Sequence, residues 1–261
     1  MFTKEELKEQ LAQMGLKPTD TVVIHTSMKA VGDMEDGPNG LIDAFCEYLK
    51  DGLFVVPTHT WDKVTSKNPH YDVRETVPDI GLVPRTAAFR KDGIRSLHPT
   101  HSVWAYGKDA ADYVKGEENA PSPTPKDYCW DKLADRHAKI VLIGVGNDKN
   151  TFIHSIEERL ALPDRISNTP YDIIIVDGQG REYTHAFYPQ SCSKTDDISQ
   201  FFGIFEKPMV EMGVQTFGKL GNATVRIVDA MGCRELLTTI FTRAQEDIFA
   251  QHINLPEHLY K

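Results

Sequence analysis

The chain has 261 residues, 40% of them hydrophobic and 26% charged, which is ordinary for a globular protein that folds in water. Its 38 acidic residues outnumber its 29 basic residues, so its net charge is −9. That balance disfavours nucleic acid and anionic membranes as partners and is compatible with a cationic ligand. A chain of this length can bury a full hydrophobic core, and we predict one domain over residues 1–261.

The cysteines lie far apart in the sequence, at Cys46, Cys129, Cys192 and Cys233, without a C-x-x-C pair. This spacing disfavours a zinc knuckle or a redox pair. No apolar run approaches the length of a membrane-spanning helix, and the start of the chain is charged and unlike a signal peptide. We therefore expect a reduced, cytoplasmic protein with no membrane partner. The sequence leaves open whether it acts as a monomer or as a homodimer.

Strand and helix patterns alternate along the first half of the chain. A capping box formed by Thr3 and Glu6 marks the start of the first helix. This capping box and the apolar periodicity that follows predict a helix over 3–15. Apolar periodicity and apolar runs further along the chain predict helices over 41–49 and 87–90 and strands over 21–25, 53–56 and 102–106. Residues 58–80 lack periodicity and are predicted to form an irregular loop of the kind that carries function. Residues 116–125 have the composition of a linker-like loop.

The second half continues the alternation. The patterns predict strands over 140–143, 172–176 and 223–228, and helices over 198–212 and 231–253. The DGQG turn at residues 177–180 joins one strand to another that ends at Phe187, which indicates a hairpin. Strands that alternate with helices, together with one hairpin, predict an α/β protein with a mixed sheet.

The segment KIVLIGVGNDKNTFIHSIEE is the most informative part of the chain. A buried strand ends in a glycine turn, and a helix follows with Asn150 or Thr151 as its N-cap and His154 in its first turn. Glu157 lies one turn beyond His154, on a helix face that we expect to be open. A neutral imidazole whose cation is stabilised by a carboxylate suits a general base. The same residues would also fit a plain solvated helix face, and H-x-x-E-E is not the zinc-protease pattern.

Two other segments have the composition of ligand-binding loops. Residues 95–102, RSLHPTHS, place Arg95 near hydroxyl groups and turn amides that could hold a phosphate. Their two histidines permit a metal site, but no carboxylate or cysteine stands at ligand spacing. Residues 26–32, TSMKAVG, follow a strand end, where α/β folds bind ligands. The absence of Walker and G-x-G-x-x-G patterns disfavours nucleotide hydrolysis and hydride transfer.

Together these segments resemble the aminoglycoside 3-N-acetyltransferase family, also called the antibiotic N-acetyltransferases. The resemblance rests on LKPTDTVVIHTSMKAVG, FVVPTHTW, RSLHPTHSVWAYG and IVLIGVGNDKNTFIHSIEE, in the family's order and roughly at its spacing. It is good over residues 15–160 and weaker afterwards. The chain departs from the family where a glutamate commonly precedes an F-R pair. Here residues 84–88, PRTAA, precede Phe89 and Arg90, which points to a difference on the acceptor side.

The resemblance implies a layered α/β/α fold with a central mixed sheet and an added β-hairpin. It also implies acetyl-CoA-dependent transfer to the 3-amino group of the 2-deoxystreptamine ring of an aminoglycoside, by direct attack and without a metal. His154 would be the general base, with Glu157 beside it. The acetyl-CoA site would be lined by Thr26, Ser27, Met28, Lys29, Ala30, Val31, Gly32, Arg95, Ser96, His98 and Ser102.

The chemistry of the residues agrees with this implication. An ammonium group must lose a proton before it attacks a thioester, and an imidazole backed by a carboxylate can remove it. Thr151 or loop amides are candidate donors to the thioester oxyanion. A polycationic amine would be drawn to an acidic cleft. The candidate substrate contacts are Trp61, Asp62, Asp72, Glu157, Asp196 and Asp197.

Four other functions stay open at this level. An acetyltransferase of the same fold could act on a different amine, which the changed region around Arg85 motivates. A cysteine hydrolase would use Cys192 with a histidine such as His185. A non-catalytic module would bind CoA without turnover. A metal-dependent hydrolase would combine His98, His101 and Glu158.

Overall fold

The structure is a computed structural model that describes residues 1–244 and 254–261 of the chain. The strands are β1 (Thr21–Thr26), β2 (Leu53–Pro57), β3 (His70–Asp72), β4 (Ile94–Arg95), β5 (Val103–Gly107), β6 (Lys139–Ile143), β7 (Tyr171–Val176), β8 (Glu182–Phe187), β9 (Gln215–Leu220) and β10 (Ala223–Asp229). The α-helices are α1 (Lys4–Gln13), α2 (Met28–Val31), α3 (Gly37–Tyr48), α4 (Leu82–Ala87), α5 (Ala110–Tyr113), α6 (Cys129–Asp135), α7 (Phe152–Arg159), α8 (Glu206–Glu211) and α9 (Ala230–Ala244). Short 3-10 helices cover Glu117–Asn119, Asn147–Lys149, Ile198–Phe205 and Glu257–Leu259.

Seven strands form one mixed sheet in the order β4-β5-β2-β1-β6-β10-β9. Strands β2, β1 and β6 run parallel, in a register that places Thr26 beside Ile143. Strands β5 and β10 flank them in the antiparallel direction. The three parallel strands therefore end at one edge of the sheet, which is where α/β proteins bind ligands. A second sheet has the order β3-β7-β8.

Helices cover both faces of the central sheet, because successive side chains of an inner strand point to opposite faces. Val23 and Leu142 belong to a core with residues of α6, α7 and α9. Val22 and Ile24 belong to a second core with residues of α1, α3 and α4. The predicted layered α/β/α fold with a central mixed sheet is therefore confirmed. The predicted hairpin is also present, as β7 and β8 of the second sheet.

Several predicted elements are confirmed in detail, whereas the helix over 87–90 is misplaced. In the predicted capping box, the Glu6 N–H donates to Thr3 Oγ1 at 3.2 Å and the Thr3 N–H donates to Glu6 Oε2 at 2.8 Å. The helix predicted over 87–90 instead spans Leu82–Ala87. Gly81, at φ 50°, starts this helix, and Pro84 is tolerated because it lies in the first turn.

Other differences arise where local patterns are weak. The irregular segment 58–80 contains β3, whose pairing with β7 depends on distant residues. The helix predicted over 198–212 is divided into a 3-10 helix, Ile198–Phe205, and α8. Strand β9 was not predicted, because its sequence QTFGKL is half polar. The helix predicted over 231–253 is observed to Ala244, and the rest of that prediction lies outside the described residues.

The linker-like loop at residues 116–125 is packed against several elements. The Ser122 hydroxyl donates to Glu158 Oε2 on α7 at 2.5 Å, and the Ser122 carbonyl lies 3.0 Å from His98 Nε2. Glu117 Oε1 accepts the N–H of Cys129, at the start of α6, at 2.8 Å.

In the described ranges, no helix has both the length and the apolar character needed to cross a membrane.

Glu117 is a buried carboxyl group, and its burial raises its pKa to about 7. Because the unfolded chain releases this proton at lower pH, ionisation of Glu117 destabilises the fold as pH rises through that window. We expect the free energy of unfolding of Glu117→Gln, which keeps an acceptor for Cys129, to rise relative to that of the wild type by on the order of 2–3 kcal/mol when the pH is raised from 4.5 to 8. Urea unfolding of both proteins at the two pH values measures this change. The same difference in stability between the two proteins at both pH values would contradict it.

Candidate active site

A cavity of about 510 Å³ lies at the edge of the sheet where β1, β2 and β6 end. Its apolar wall is formed by Ile24, Val56, Pro57, Ile80, Val83, Pro84 and Val145. Its polar lining includes His25, Thr26, His59, His101, Thr151, His154 and Gln190. A second cavity of about 310 Å³ adjoins it, and both are lined by Trp61, His101, Gln190, Asp196 and Asp197. The cleft therefore has two lobes with a common boundary, and His154 lies in the wall of the larger one.

The close approach of two turns brings the helix of His154 to this edge. Gly144 follows β6 at φ 66°, and a Cβ atom there would lie 2.3 Å from the Cβ of Ala30 in α2. Only glycine fits at this position, which explains the glycine turn that follows the strand. The chain then forms a short 3-10 helix and enters α7, with His154 in the first turn as predicted.

One edge of the His154 imidazole is fixed by Glu157. Nδ1 lies 2.9 Å from Glu157 Oε2, and 12% of the His154 side chain is exposed. An ionised carboxylate only accepts hydrogen bonds, so Nδ1 of the neutral ring is the protonated nitrogen. The electron pair of the neutral imidazole is therefore on Nε2.

The faces of the ring are also in contact. Gln190 Nε2 lies 3.1 Å from Nδ1 and 3.4 Å from Nε2 of His154. An atom nearly equidistant from both ring nitrogens cannot lie in the ring plane, because Cε1 occupies that direction. The carboxamide of Gln190 thus lies over one face, and the Phe202 ring centroid is 4.8 Å from that of His154. Gln190 and Phe202 thus restrict the orientation of the ring, which borders the cavity.

Glu157 does not lie on an open helix face, and that prediction is wrong. Its side chain is 1% exposed, because α7 turns this face toward the loop that follows the helix. Oε2 is used by His154, and Oε1 accepts from Arg165 Nε at 2.6 Å. Both oxygens are engaged within the protein, so its expected contact with the substrate has no support from this geometry. Arg165 was missed, because nothing in its local pattern points back to the helix.

Thr151 occupies the N-cap position of α7 and lines the cavity. Its side chain makes no capping hydrogen bond, since the residue itself has helical backbone angles. The hydroxyl is therefore available near the base, as a candidate donor to a negatively charged oxygen.

The segment at residues 26–32 borders the cavity mainly through its first residue. Thr26 lines the cavity, and its Oγ1 is buried without a partner in the described part of the chain. Ser27 caps α2 by accepting the Ala30 N–H at 3.3 Å, and Val31 is buried in the core. The predicted set Ser27, Met28, Lys29, Ala30, Val31 and Gly32 thus forms a one-turn helix and its cap beside the cavity.

The segment at residues 95–102 is a scaffold beneath the cleft, and its predicted cofactor contacts point into protein. The guanidinium of Arg95 donates to the carbonyls of Thr76, at 2.7 Å, and Thr58, at 3.3 Å. Ser96 and Ser102 hydrogen-bond the backbone of Val103 and Thr58 respectively. All three side chains are buried, and backbone carbonyls occupy the place on Arg95 that a phosphate would need.

His98 serves the same scaffold. Its Nδ1 accepts the N–H groups of Thr100 and His101, at 3.2 and 2.9 Å, and it is fully buried. This bonding turns the chain so that His101 reaches both lobes of the cleft.

The predicted substrate contacts fall into two groups. Trp61, Asp196 and Asp197 line the cleft. Asp72 does not, because it is buried against Arg74, with 2.6 Å between Oδ2 and Nη2, and this pairing lowers its pKa. Asp62 is exposed outside both lobes, where its N–H donates to Asp79 Oδ2 at 2.8 Å.

Buried histidines beside the base were the other residues that sequence reasoning missed. His25 and His59 line the cavity, and their Nε2 atoms have no partner in the described part of the chain. Burial lowers the pKa of His25 to about 3 and the pKa of His59 and His101 well below the usual value. The cavity floor therefore presents neutral imidazoles at neutral pH. The motifs VVIH and PTHT had pointed to strand ends but not to this cluster.

The hydrolase alternatives have no matching geometry. Cys192 Sγ contacts Asp164 Oδ2 at 3.7 Å, whereas His185 Nε2 lies 3.0 Å from the carbonyl of Ala120. Within residues 1–244 and 254–261, no three histidine, cysteine or acidic side chains converge as metal ligands. Glu158, one of the proposed ligands, instead accepts hydrogen bonds from Ser122 and Thr124.

The chain is similar to known proteins over most of its length. The family model described as Aminoglycoside 3-N-acetyltransferase matches residues 23–242. The chain is 26% identical over 255 residues to aminoglycoside N(3)-acetyltransferase IV of Salmonella sp, covering 94% of this chain and 88% of that protein. It is 26% identical over 233 residues to aminoglycoside N(3)-acetyltransferase IX of Micromonospora chalcea, covering 82% of this chain and 79% of the relative.

Solved structures share the fold. A mutant of aminoglycoside acetyltransferase AAC(3)-IVa in complex with a gentamicin superposes with a TM-score of 0.79 at 24% identity, covering 100% of this chain and 94% of that one. The binary complex of AAC-IIIb with CoASH gives a TM-score of 0.79 at 19% identity, covering 93% and 97%.

The buried histidines predict acid lability. A histidine whose pKa is lowered by folding stabilises the protein at pH values above the pKa of the unfolded histidine. This contribution is lost as the pH falls, because the unfolded chain takes up the proton first. His25 packs against Trp130, with ring centroids 6.0 Å apart. We expect His25→Phe to lose on the order of 2 kcal/mol less stability than the wild type between pH 7.5 and pH 5. Denaturant unfolding at both pH values checks this, and equal losses would rule out the assigned charge state.

Proposed function

Because the chain belongs to the aminoglycoside 3-N-acetyltransferase family, a family of acyltransferases, we propose that it transfers the acetyl group of acetyl-CoA to an amino group of an aminoglycoside. The acceptor group proposed is the 3-amino group of the 2-deoxystreptamine ring. The observation that carries the proposal is the His154–Glu157 pair, in which Glu157 holds Nδ1 and the imidazole borders the larger lobe of a cleft with two lobes. Two lobes that meet beside one base suit a reaction in which two substrates are bound at once.

The larger lobe has the chemistry needed to hold the co-substrate. Its apolar wall is interrupted by two buried polar atoms, Thr26 Oγ1 and Asn150 Oδ1, which have no partner among the residues that the structure describes. A chain of methylenes and amides, such as the pantetheine arm, fits such a surface, because each amide can satisfy a polar atom that is otherwise unpaired. Acetyl-CoA would supply the acetyl group in activated form, as a thioester.

The residues of the chain would then act on the acceptor amine. The amine must lose a proton to become a nucleophile, and His154 Nε2 can take it. Glu157 Oε2 accepts from Nδ1 and stabilises the imidazolium that results. The carboxamide of Gln190 and the ring of Phe202 contact the imidazole and restrict its orientation at the cavity. The Thr151 hydroxyl is placed to donate to an oxygen that gains negative charge.

The boundary between the lobes has the chemistry to attract a polycation. Asp196 and Asp197 lie there, and Trp61 offers an aromatic face that is 49% exposed. Carboxylates near the mouth of a cleft raise the local concentration of a cationic substrate, and salt screens this attraction. The AAC(3)-IVa mutant that shares the fold is bound to a gentamicin, which supports an aminoglycoside as the acceptor.

A second candidate is an acetyltransferase of the same fold that acts on a different amine. It is favoured by the altered residues at α4, since Val83 and Pro84 line the cavity while Arg85 Nε donates to the Pro78 carbonyl at 3.1 Å. Thiol release from acetyl-CoA with a panel of amines decides between the two. Turnover of other amines, without turnover of any 2-deoxystreptamine compound, would favour this candidate.

His154→Ala tests the base directly. We expect kcat for acetylation of an aminoglycoside to fall about a hundredfold or more, because the amine then loses the proton acceptor whose cation Glu157 stabilises. The assay is thiol release with saturating acetyl-CoA. His70→Asn, which changes an exposed histidine on β3, is the matched control and should keep full activity. Near-normal acetylation by His154→Ala would refute the assigned role.

Asp196→Asn tests the acidic boundary. We expect KM for the aminoglycoside to rise about threefold to tenfold, with weaker salt dependence and an unchanged KM for acetyl-CoA, because one attractive charge is lost. Asp112→Asn makes the same charge change on α5, where Asp112 is exposed outside the cleft, and serves as the control. If the two variants had the same KM for the aminoglycoside, the change would not depend on the position of Asp196 at the cleft, and the assigned role of the acidic boundary would be contradicted.

A further inference from the structure

We propose that Arg165 is a positioning residue for the catalytic base, acting through Glu157. This inference rests on the proposed function and extends the base to a chain of three side chains, His154, Glu157 and Arg165. The guanidinium would keep the carboxylate ionised and directed at His154, without touching either substrate. Arg165 borders a different cavity and does not line either lobe of the cleft.

The need for Arg165 follows from the burial of Glu157. Its carboxylate is 1% exposed, and an ionised group removed from water requires a partner of opposite charge or loses its charge. The neutral imidazole of His154 cannot supply that charge. Arg165 can, because its Nε lies 2.6 Å from Glu157 Oε1 and its own side chain is only 8% exposed. Each oxygen of the carboxylate thus has one partner, and the second oxygen is left facing Nδ1 of His154.

The loop after α7 is shaped to return Arg165 to this position. The N–H of Leu162 donates to the carbonyl of Glu157 at 3.0 Å, which ends the helix. Ala161, at φ 49°, and Asp164, at φ 58°, then take left-handed backbone conformations that non-glycine residues rarely adopt. Nη1 of Arg165 donates to the Asp164 carbonyl at 3.1 Å, which fixes the guanidinium within its own loop.

The same loop is tied to the segment that carries Gln190. The N–H of Ser191 donates to the Arg165 carbonyl at 2.9 Å. Asp164 accepts the Ser193 N–H at 2.9 Å and the Ser193 hydroxyl at 2.7 Å, and these bonds lower its pKa. The loop therefore holds the imidazole in two ways, through Glu157 at one edge and through Gln190 at one face.

The charge balance gives Arg165 a second consequence. With Glu157 and Arg165 as an ion pair and His154 neutral, the three side chains carry no net charge and His154 can accept a proton from the substrate. Without Arg165, the buried carboxylate would hold the imidazolium form, and the base would be protonated before the amine arrives. Other charged or titratable groups near the ring are Glu158 on α7, His59 and His101 across the cavity, Asp148 and Lys149 before α7, and Asp196 and Asp197.

A double-mutant cycle tests whether Arg165 acts through Glu157. We expect Arg165→Met to lower kcat about tenfold or more in the wild-type background and about twofold or less in the Glu157→Gln background, with KM for both substrates unchanged. Arg165→Lys keeps the charge and should restore most of kcat. A role limited to folding would lower kcat equally in both backgrounds, and that result would overturn the proposal.

The protonation of His154 gives a readout that does not depend on turnover. In the substrate-free protein, the pH at which the His154 ring is half protonated, followed by NMR and assigned with His154→Gln, should be higher in Arg165→Met than in the wild type, because the charge of the carboxylate is then balanced by the imidazolium alone. Arg159→Met is the matched control, since Arg159, on the same helix as Glu157, pairs with buried Asp131 of α6 at 2.7 Å and not with Glu157. An unchanged midpoint in Arg165→Met, or an equal rise in the control, would contradict the proposal.

The two levels of inference fail separately. If the wild type releases no thiol from acetyl-CoA with any amine, the proposed function fails whatever Arg165 does. If the wild type is active and Arg165→Met matches it in kcat and in the titration of His154, only the positioning role of Arg165 fails.

Discussion

A buried carboxylate needs compensation on both of its oxygens, and the arrangement of the site depends on how Glu157 obtains it. His154 takes one oxygen and Arg165 takes the other, at 2.9 and 2.6 Å. This sharing fixes which nitrogen of the imidazole carries the proton, and therefore which edge of the ring can act as a base. It also requires the loop after α7 to fold back beneath the helix, which brings the Gln190 segment over the ring.

The sheet supplies the place at which that base can meet two substrates. Strands β1, β2 and β6 are parallel, so their ends and the segments that follow them meet at one edge. Gly144 allows the turn after β6 to lie against α2, and α7 then starts within reach of the cavity. His25 and His59, at the ends of β1 and β2, supply neutral histidines on the cavity floor, and Asp196 and Asp197, in the segment after β8, supply the acidic boundary of the lobes. An uncharged floor and an acidic mouth suit a neutral base and a cationic acceptor respectively.

Much of this could be predicted from the sequence, because the relevant signals are local. The capping box of α1, the buried strands, the hairpin turn and the position of His154 in the first turn of α7 each depend on a few neighbouring residues. The contacts of the RSLHPTHS segment could not be read in this way. Its residue types suit phosphate binding, yet both terminal nitrogens of Arg95 donate to backbone carbonyls of residues 58 and 76, which only the tertiary fold brings near. Arg165 was missed because its contact with Glu157 depends on how the loop after α7 turns back. Asp72 pairs with Arg74, only two residues away, and this local pairing, which removes that acid from the cleft, was overlooked.

The central claim is that Nε2 of His154, with Nδ1 held by Glu157, receives the proton of the acceptor amine. The most direct measurement is a crystal structure of the protein with CoA and an aminoglycoside bound together. The account predicts the acceptor nitrogen within hydrogen-bond distance of His154 Nε2, with the contacts of Glu157 to His154 and Arg165 intact. An acceptor nitrogen bound out of reach of that edge, or an imidazole turned away from Glu157, would contradict it.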